Sequence, residues 1–333
     1  MHVFVTGAGG FIGSEIVRQL VAAGHNVVGL VLSPRKAEKV RSFGAIPILG
    51  DVRDPTVLAR GVSAAEAVVH LALPRAGEKR SEDANEINTR GTDFLLETCR
   101  DLTLKSFVLA SGAGGIYRHG PGDWVDESTP EDPWTPATRD RFAIDESIRR
   151  AHREWGLPAT ILRPPVVYGV GSGFRDYFLD LLRRGIFRVV GDGAYYVNLV
   201  HVEDCARAYR LALEGSAAGD TFIVVDDEPV RMREFIDFLA REMGRRPPGQ
   251  VPAFLAKLVA GRDAVNILTR SVRFRNDKIK ARRWRPSAIR LMIRDVPSPS
   301  GSRGSVNCAA RRIVELGQSS RSSLSFSASS RVL

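Results

Sequence analysis

Apolar residues are distributed along this chain in two alternating rhythms. Short unbroken apolar runs at residues 3–5, 27–32, 46–49, 67–71, 106–109 and 159–162 read as strands buried on both faces. Between them lie longer segments with apolar residues three and four apart, such as Ile16, Val17, Leu20 and Val21, and the stretches 90–102 and 141–155. These read as amphipathic helices. The alternation predicts an α/β fold: a Rossmann-type, doubly wound parallel sheet with helices on both faces and a smaller C-terminal lobe. Residues 1–165 are assigned to the main domain. From Val166 the pattern shifts to glycine-rich loops, a helix near 176–184, a short strand at 222–225 and a helix at 232–243. Residues 166–290 are therefore assigned to a smaller lobe over the strand C-termini, with room for some segments to return to the main sheet. In 291–333 the periodicity dissolves, and 12 serines fall between positions 298 and 333. Too little apolar surface is available there to offset ordering entropy, which predicts a disordered basic tail.

Charge sharpens this division. The chain of 333 residues carries a net +10, but residues 270–333 hold 15 Lys/Arg against three Asp/Glu. The preceding 269 residues hold 33 basic and 35 acidic groups and are close to neutral. A nucleic-acid enzyme is expected to spread basic charge over its folded face, so nucleic acid is disfavoured as a partner. No apolar run approaches the ~20 residues that span a bilayer. Met1-His2 leads straight into a core strand with no signal-like segment. Cys99, Cys205 and Cys308 lack metal-ligand spacing and cannot form a disulfide framework. The expectation is a cytoplasmic, metal-free protein acting on a small molecule.

The candidate chemistry starts at Val3-Phe4-Val5-Thr6-Gly7-Ala8-Gly9-Gly10-Phe11-Ile12-Gly13, where an apolar strand runs into glycines spaced three apart and then into a helix. The first glycine permits a tight turn, the second lets backbone N–H groups approach a pyrophosphate, and the third lets helix and strand pack closely. The helix start adds unpaired donors and partial positive charge.

Further landmarks follow in order: Gly50-Asp51-Val52-Arg53-Asp54, His70-Leu71-Ala72, Asn88-Thr89-Arg90-Gly91-Thr92, Leu162-Arg163-Pro164-Pro165-Val166-Val167-Tyr168-Gly169 and His201-Val202-Glu203-Asp204. With the glycine motif, they resemble the extended short-chain dehydrogenase/reductase family, the NAD-dependent epimerases and dehydratases, over roughly residues 1–286. The resemblance implies that Gly7, Gly10, Phe11, Ile12 and Gly13 line a pyrophosphate and that Asp51 and Val52 flank an adenine. It further implies that Leu71 and Ala72 lie under the cofactor, that Ser111 sits near the nicotinamide ribose, and that Pro164 and Val167 abut the nicotinamide. It also implies a homodimer through the long helices 90–102 and 141–155. NAD-preferring members place an acid at the end of the second strand. Here that position is Val31, followed by Leu32-Ser33-Pro34-Arg35-Lys36. Ser33 and Arg35 suit a 2′-phosphate, so NADP is expected over NAD.

One part of the family pattern is missing. None of the six tyrosines precedes a lysine by four residues. Carried over by offset, the family's catalytic Ser, Tyr and Lys fall at Ala113, Ala137 and Arg141. Arg141 can supply positive charge and hold a ribose, but a guanidinium does not shuttle protons. Tyr117 is a candidate proton carrier, as are His119, Asp126 and Glu127 in the next segment, although Tyr117 matches a family position that packs at the pocket edge. His119, Asp126 and Glu127 read as loop solvation, His70 as a hydrogen-bonded core residue and His201 as a brace at a strand–helix turn. Trp124, Trp134 and the pair Tyr195-Tyr196 read as packing, with a substrate wall as the alternative. The sequence thus predicts an epimerase, dehydratase or reductase with an altered proton relay, acting on a hydroxyl- or carbonyl-bearing metabolite, a nucleotide sugar among them. The alternative is a non-catalytic NAD(P)(H)-binding protein of the same fold.

Overall fold

The computed structural model describes residues 1–72, 81–169, 178–215 and 217–287, and the tail assigned to 291–333 lies outside the described residues. The first half alternates strand and helix as β1 (His2–Thr6), α1 (Phe11–Ala22), β2 (Asn26–Val31), α2 (Pro34–Ser42) and β3 (Ile46–Leu49), then α3 (Pro55–Val62), β4 (Ala67–His70), α4 (Ser81–Cys99) and β5 (Ser106–Ala110). The 20-residue helix α5 (Pro136–Trp155) follows, and then the strand Ala159–Arg163. Local chemistry sets these boundaries. Ser33 and Asp54 cap α2 and α3 ahead of a proline in the first turn, and Thr135 and Thr138 form a reciprocal capping box on α5. Gly156, at φ +75°, ends α5 in the left-handed conformation.

The main sheet has seven strands in the order β3-β2-β1-β4-β5, then Ala159–Arg163, then Thr221–Ile223. Every pairing in it is parallel. Strand order reverses between β1 and β4, which opens a crevice at their C-terminal ends. One apolar cluster (Val5, Ile16, Leu20, Val108, Tyr209) packs α1 and the helix Val202–Glu214 on one face. A second (Phe4, Leu58, Leu95, Phe107, Ile148) packs α3, α4 and α5 on the other.

The chain is more interleaved than a boundary at 165 implies. Thr221–Ile223 is the seventh strand of the main sheet, and Val202–Glu214 covers the same face as α1. Phe222 and Ile223 are almost fully buried, and an apolar strand of this kind is stable only when both faces are covered. The smaller lobe keeps a separate core built on Leu182, Val189, Leu199, Phe235 and Leu239. Among the described residues no helix is long and apolar enough to cross a membrane, and no group of three or more His, Cys, Asp or Glu is placed to hold a metal ion. Cys99 and Cys205 are buried free thiols, both pushed upward by burial, Cys99 to about 12.

Candidate functional site

The glycine motif forms a tight turn over the crevice. Gly7 has φ +67°, and a Cβ there would lie 2.8 Å from the Leu71 carbonyl oxygen. Gly13 sits in the first turn of α1, where a Cβ would come 2.2 Å from the Gly7 carbonyl oxygen. Both positions therefore exclude any side chain. Gly10 is the extended N-cap of α1, with no side chain to satisfy the first turn. The free N–H groups at Phe11, Ile12 and Gly13 face a half-open loop, an arrangement suited to a phosphate. The residues present fit a dinucleotide.

The floor of this cradle is held by a buried polar chain. Thr6 Oγ1 accepts from the Leu71 and Ala72 N–H groups, both at 3.1 Å, and lies 2.7 Å from His70 Nδ1. His70 Nε2 lies 3.1 Å from Thr92 Oγ1, and burial holds the ring down to about 4. As expected from the sequence, His70 is a satisfied core residue.

Other expected cofactor positions surround the crevice. Asp51 is half-buried and accepts from the Arg53 backbone N–H at 2.9 Å and from the Arg53 guanidinium at 3.0 and 2.8 Å. Val52 turns its side chain into the core, against the Gly91 backbone, so only its main chain can border a base. Pro164 is buried, and its carbonyl accepts from Ala113 N–H at 3.2 Å; Val167 is half-buried against the α1-side core.

At the end of β2, Ser33 accepts from Lys36 N–H, while Arg35 is exposed. Sequence reasoning missed one neighbour here, Lys39. The stem of Lys36 lies where a Cβ on Gly9 would be, at 2.6 Å. Lys39 donates to Ser14 Oγ at 2.8 Å, bringing a third cation to the base of α1. Burial and then the Arg35 charge push its ammonium down, because like charges crowd there.

The positions that the family resemblance assigns to the hydride side fall on the loop after β5 and the first turns of α5. Ala137 is exposed. One turn on, the Arg141 guanidinium packs so closely on Gly112 that a Cβ there would meet Nη1 at 2.0 Å. Burial pushes its pKa down, with the Asp145 charge opposing. Ala113 is fully buried in an apolar cluster with Ile116, Tyr117, Val125 and Ile223. Tyr117 belongs to the same cluster. Its hydroxyl accepts from Arg163 Nη1 at 2.9 Å, and burial pushes it up to about 12. That removes Tyr117 from the reaction surface and makes it a poor proton carrier near neutral pH.

Behind the pocket runs a buried ionic network that the sequence did not reveal. Arg163 is fully buried and donates to Asp145 Oδ2 through Nε at 3.0 Å and Nη2 at 2.5 Å. It also donates to Glu131, which pairs in turn with Arg149 at 2.8 Å. Ser111 Oγ donates to the same Asp145 oxygen at 3.0 Å, and Asp145 Oδ1 has no hydrogen-bond partner among the described residues. Burial pushes the Asp145 carboxyl up, and Arg163 and Ser111 pull against it.

The other histidine and aromatic positions, Trp134 apart, make structural contacts. His201 caps the helix Val202–Glu214 by accepting from Glu203 N–H at 3.3 Å and meets the Tyr168 ring edge-on at 5.2 Å. Trp124 and Tyr196 are stacked by arginines, with Arg273 at 4.7 Å from one ring and 5.2 Å from the other. Tyr195 is buried. His119 Nδ1 lies 2.9 Å from the Gly120 carbonyl oxygen, Asp126 caps a turn through Ser128, and Glu127 accepts from Ile223 N–H at 2.7 Å.

A glycine cradle at the switch point of a parallel sheet, opening onto the N-terminus of a helix, defines a dinucleotide-binding α/β protein. The chain belongs to the NAD dependent epimerase/dehydratase family, whose model matches residues 3–225. It is 31% identical over 303 residues to a 3-diazoavenalumate denitrifying reductase of a Streptomyces species, covering 86% of this chain and 96% of that protein. It is 30% identical over 255 residues to a 2-alkyl-3-oxoalkanoate reductase of Stenotrophomonas maltophilia, covering 73% of this chain and 76% of the relative. Among solved structures, the UDP-glucose 4-epimerase of Thermus thermophilus in complex with NAD superposes with a TM-score of 0.76 at 27% identity, over 92% of this chain and 100% of the other.

Proposed function

We propose that this protein is an NADP(H)-preferring reductase that transfers hydride to a carbonyl-bearing metabolite and takes its proton from water. The observation that carries this reading is the exposed Ala137 one helical turn before Arg141, whose guanidinium packs on Gly112. An epimerase or dehydratase needs a group that removes and returns protons in register with hydride, and no side chain in the pocket is suited to that role. A reductase needs one proton delivered once. Solvent reaches the site of the missing phenol and can deliver it. Arg141 contributes a fixed positive charge in a desolvated position, where it stabilises negative charge developing on a substrate oxygen. Ser111, anchored to Asp145, holds the end of β5 toward the ribose side. When bound, the reduced nicotinamide supplies the hydride.

The preference for NADP rests on Arg35, Lys36 and Lys39 gathered beside Gly9 and Ser14, with no carboxylate at Val31 to repel a 2′-phosphate. The named relatives are reductases of an oxoalkanoate and of a diazoavenalumate, which favours reduction over epimerisation. Pairing of two copies through α4 and α5 is part of the same reading. Purified protein tests it. NADPH should bind more tightly than NADH and be oxidised in the presence of a panel of ketones and aldehydes. Tight NADPH binding with no oxidation by any carbonyl would favour a non-catalytic nucleotide-binding protein, and no binding of either nucleotide would overturn both readings.

A further inference from the structure

At the start of α5 stand two hydrogen-bond donors, Trp134 and Arg270, that no carboxylate meets among the described residues. The Trp134 indole Nε1 is buried and has no hydrogen-bond partner among the described residues. A buried indole N–H is usually paired, so an orphan one marks a place where an acceptor belongs. The Arg270 guanidinium stacks over the same indole, 5.0 Å from the ring centroid. One of its N–H groups goes to the His119 carbonyl oxygen at 3.1 Å, and no carboxylate pairs with it among the described residues. Arg163 and Arg149 nearby, by contrast, are each matched to carboxylates.

Position ties this pair to the reaction. Trp134 immediately precedes the N-cap of α5, three residues before Ala137. Its Nε1 lies 3.6 Å from where a Cβ on Gly115 would stand, and the adjacent Gly114 faces open space. Gly114, Gly115 and the first turn of α5 are the segments to which the family resemblance assigns the hydride side. An indole N–H and a guanidinium are both donors only. A neutral ketone uses a single donor and is already served by Arg141. A second donor pair carrying positive charge, at the positive end of a long helix, matches an anionic acceptor with two oxygens.

We infer that the substrate carries a carboxylate in addition to its carbonyl, and that Arg270 and the Trp134 N–H receive it. The inference rests on the reductase reading for its kinetic arm and is independent of it for binding. The kinetic arm compares a 3-oxo acid with its methyl ester, using NADPH and the variants Arg270→Gln and Trp134→Phe. The KM for the acid should rise about tenfold in Arg270→Gln and severalfold in Trp134→Phe, with the ester changed less than about twofold. Equal effects on acid and ester, or a wild-type preference for the ester, would overturn the inference. The binding arm titrates NADP-loaded protein with the corresponding 3-hydroxy acid and its methyl ester, followed by calorimetry and tryptophan fluorescence. Tighter binding of the acid in wild type, lost in Arg270→Gln, supports the site even if no carbonyl is turned over. Equal binding of acid and ester overturns it while leaving the reductase reading intact.

Discussion

Lowering the pH from 7.5 to 5.0 should cost this protein about 2 kcal/mol of folding stability through His70 alone. The protonation state of that ring follows from its neighbours. Leu71 N–H and Ala72 N–H can only donate, and both point at Thr6 Oγ1. The Thr6 hydroxyl hydrogen is left to donate to His70 Nδ1 at 2.7 Å, which fixes the proton of the neutral ring on Nε2, toward Thr92. Protonating Nδ1 would set two donors face to face inside the core. Accordingly the folded ring titrates at about 4 against an ordinary 6.5, with burial as the cause. Because the folded value is the lower one, the unfolded chain takes up the proton first. Stability is complete above about 6.5, is lost as pH falls, and the loss levels off below about 4. The full difference amounts to about 3 kcal/mol, of which about 2 is realised at pH 5. Urea denaturation of wild type and His70→Asn at both pH values isolates the contribution, since the carboxylates titrate alike in both. Asparagine keeps an acceptor for Thr6 and removes the ionisation. Wild type should lose about 2 kcal/mol more than the variant between the two pH values. Equal losses would refute the assigned proton and the argument built on it.

Replacing Gly13 by alanine should weaken NADPH binding at least tenfold and cost about 1–3 kcal/mol in stability, because the added carbon meets the Gly7 carbonyl at 2.2 Å. Nucleotide titration and thermal melting check both, and an unchanged affinity would show that the cradle is not the phosphate site. Arg35→Ala combined with Lys39→Ala should lower affinity for NADPH by about tenfold and leave NADH nearly unchanged; a parallel loss for both nucleotides would remove the basis for NADP preference. Arg163→Met should destabilise by about 3–5 kcal/mol in urea denaturation, since it leaves the buried Asp145 without its counter-ion. A loss below about 1 kcal/mol would mean that the buried pair contributes little.

The sheet was legible because parallel strands buried on both faces leave unbroken apolar runs. Strands predicted at 46–49 and 106–109 correspond to Ile46–Leu49 and Ser106–Ala110. The glycine cradle was legible because steric exclusion at Gly7 and Gly13 allows only one residue type. The return of Thr221–Ile223 to the main sheet was not, since a three-residue apolar strand has the same composition in either lobe. Neither was the network of Asp145, Arg163, Glu131 and Arg149. Isolated charges inside helical and strand patterns look like solvated positions, and only the tertiary fold brings residues 18 apart or more into contact. Lys39 and Arg270 were hidden for the same reason, each being one cation among 48. The unpaired indole of Trp134 is a property of its surroundings and has no counterpart in the sequence.

The buried network explains why the missing phenol should be restorable. Everything that positions the first turns of α5 persists without it. Thr135 and Thr138 cap the helix reciprocally, Thr138 Cγ2 packs where a Cβ on Gly115 would be, and Asp145 ties the next turns to Ser111 and Arg163. Ala137 is exposed, so a tyrosine there enters solvent-accessible space without displacing core atoms. The double variant Ala137→Tyr, Arg141→Lys places a phenol one helical turn from an ammonium. Moving a phenol from ~10 toward ~7 takes about 4 kcal/mol of differential stabilisation, toward which an adjacent ammonium contributes. A positioned acid of that kind is worth about 10²–10⁴ in rate, so kcat for carbonyl reduction should rise by a factor in that range, with a new dependence on pH near neutrality. Adding Ala113→Ser should give no further gain, because position 113 faces Ile116 and Tyr117 in an apolar cluster. If the folded double variant binds NADPH normally and kcat does not move, proton delivery does not limit the reaction, and the assignment of positions 137 and 141 to the reaction centre fails.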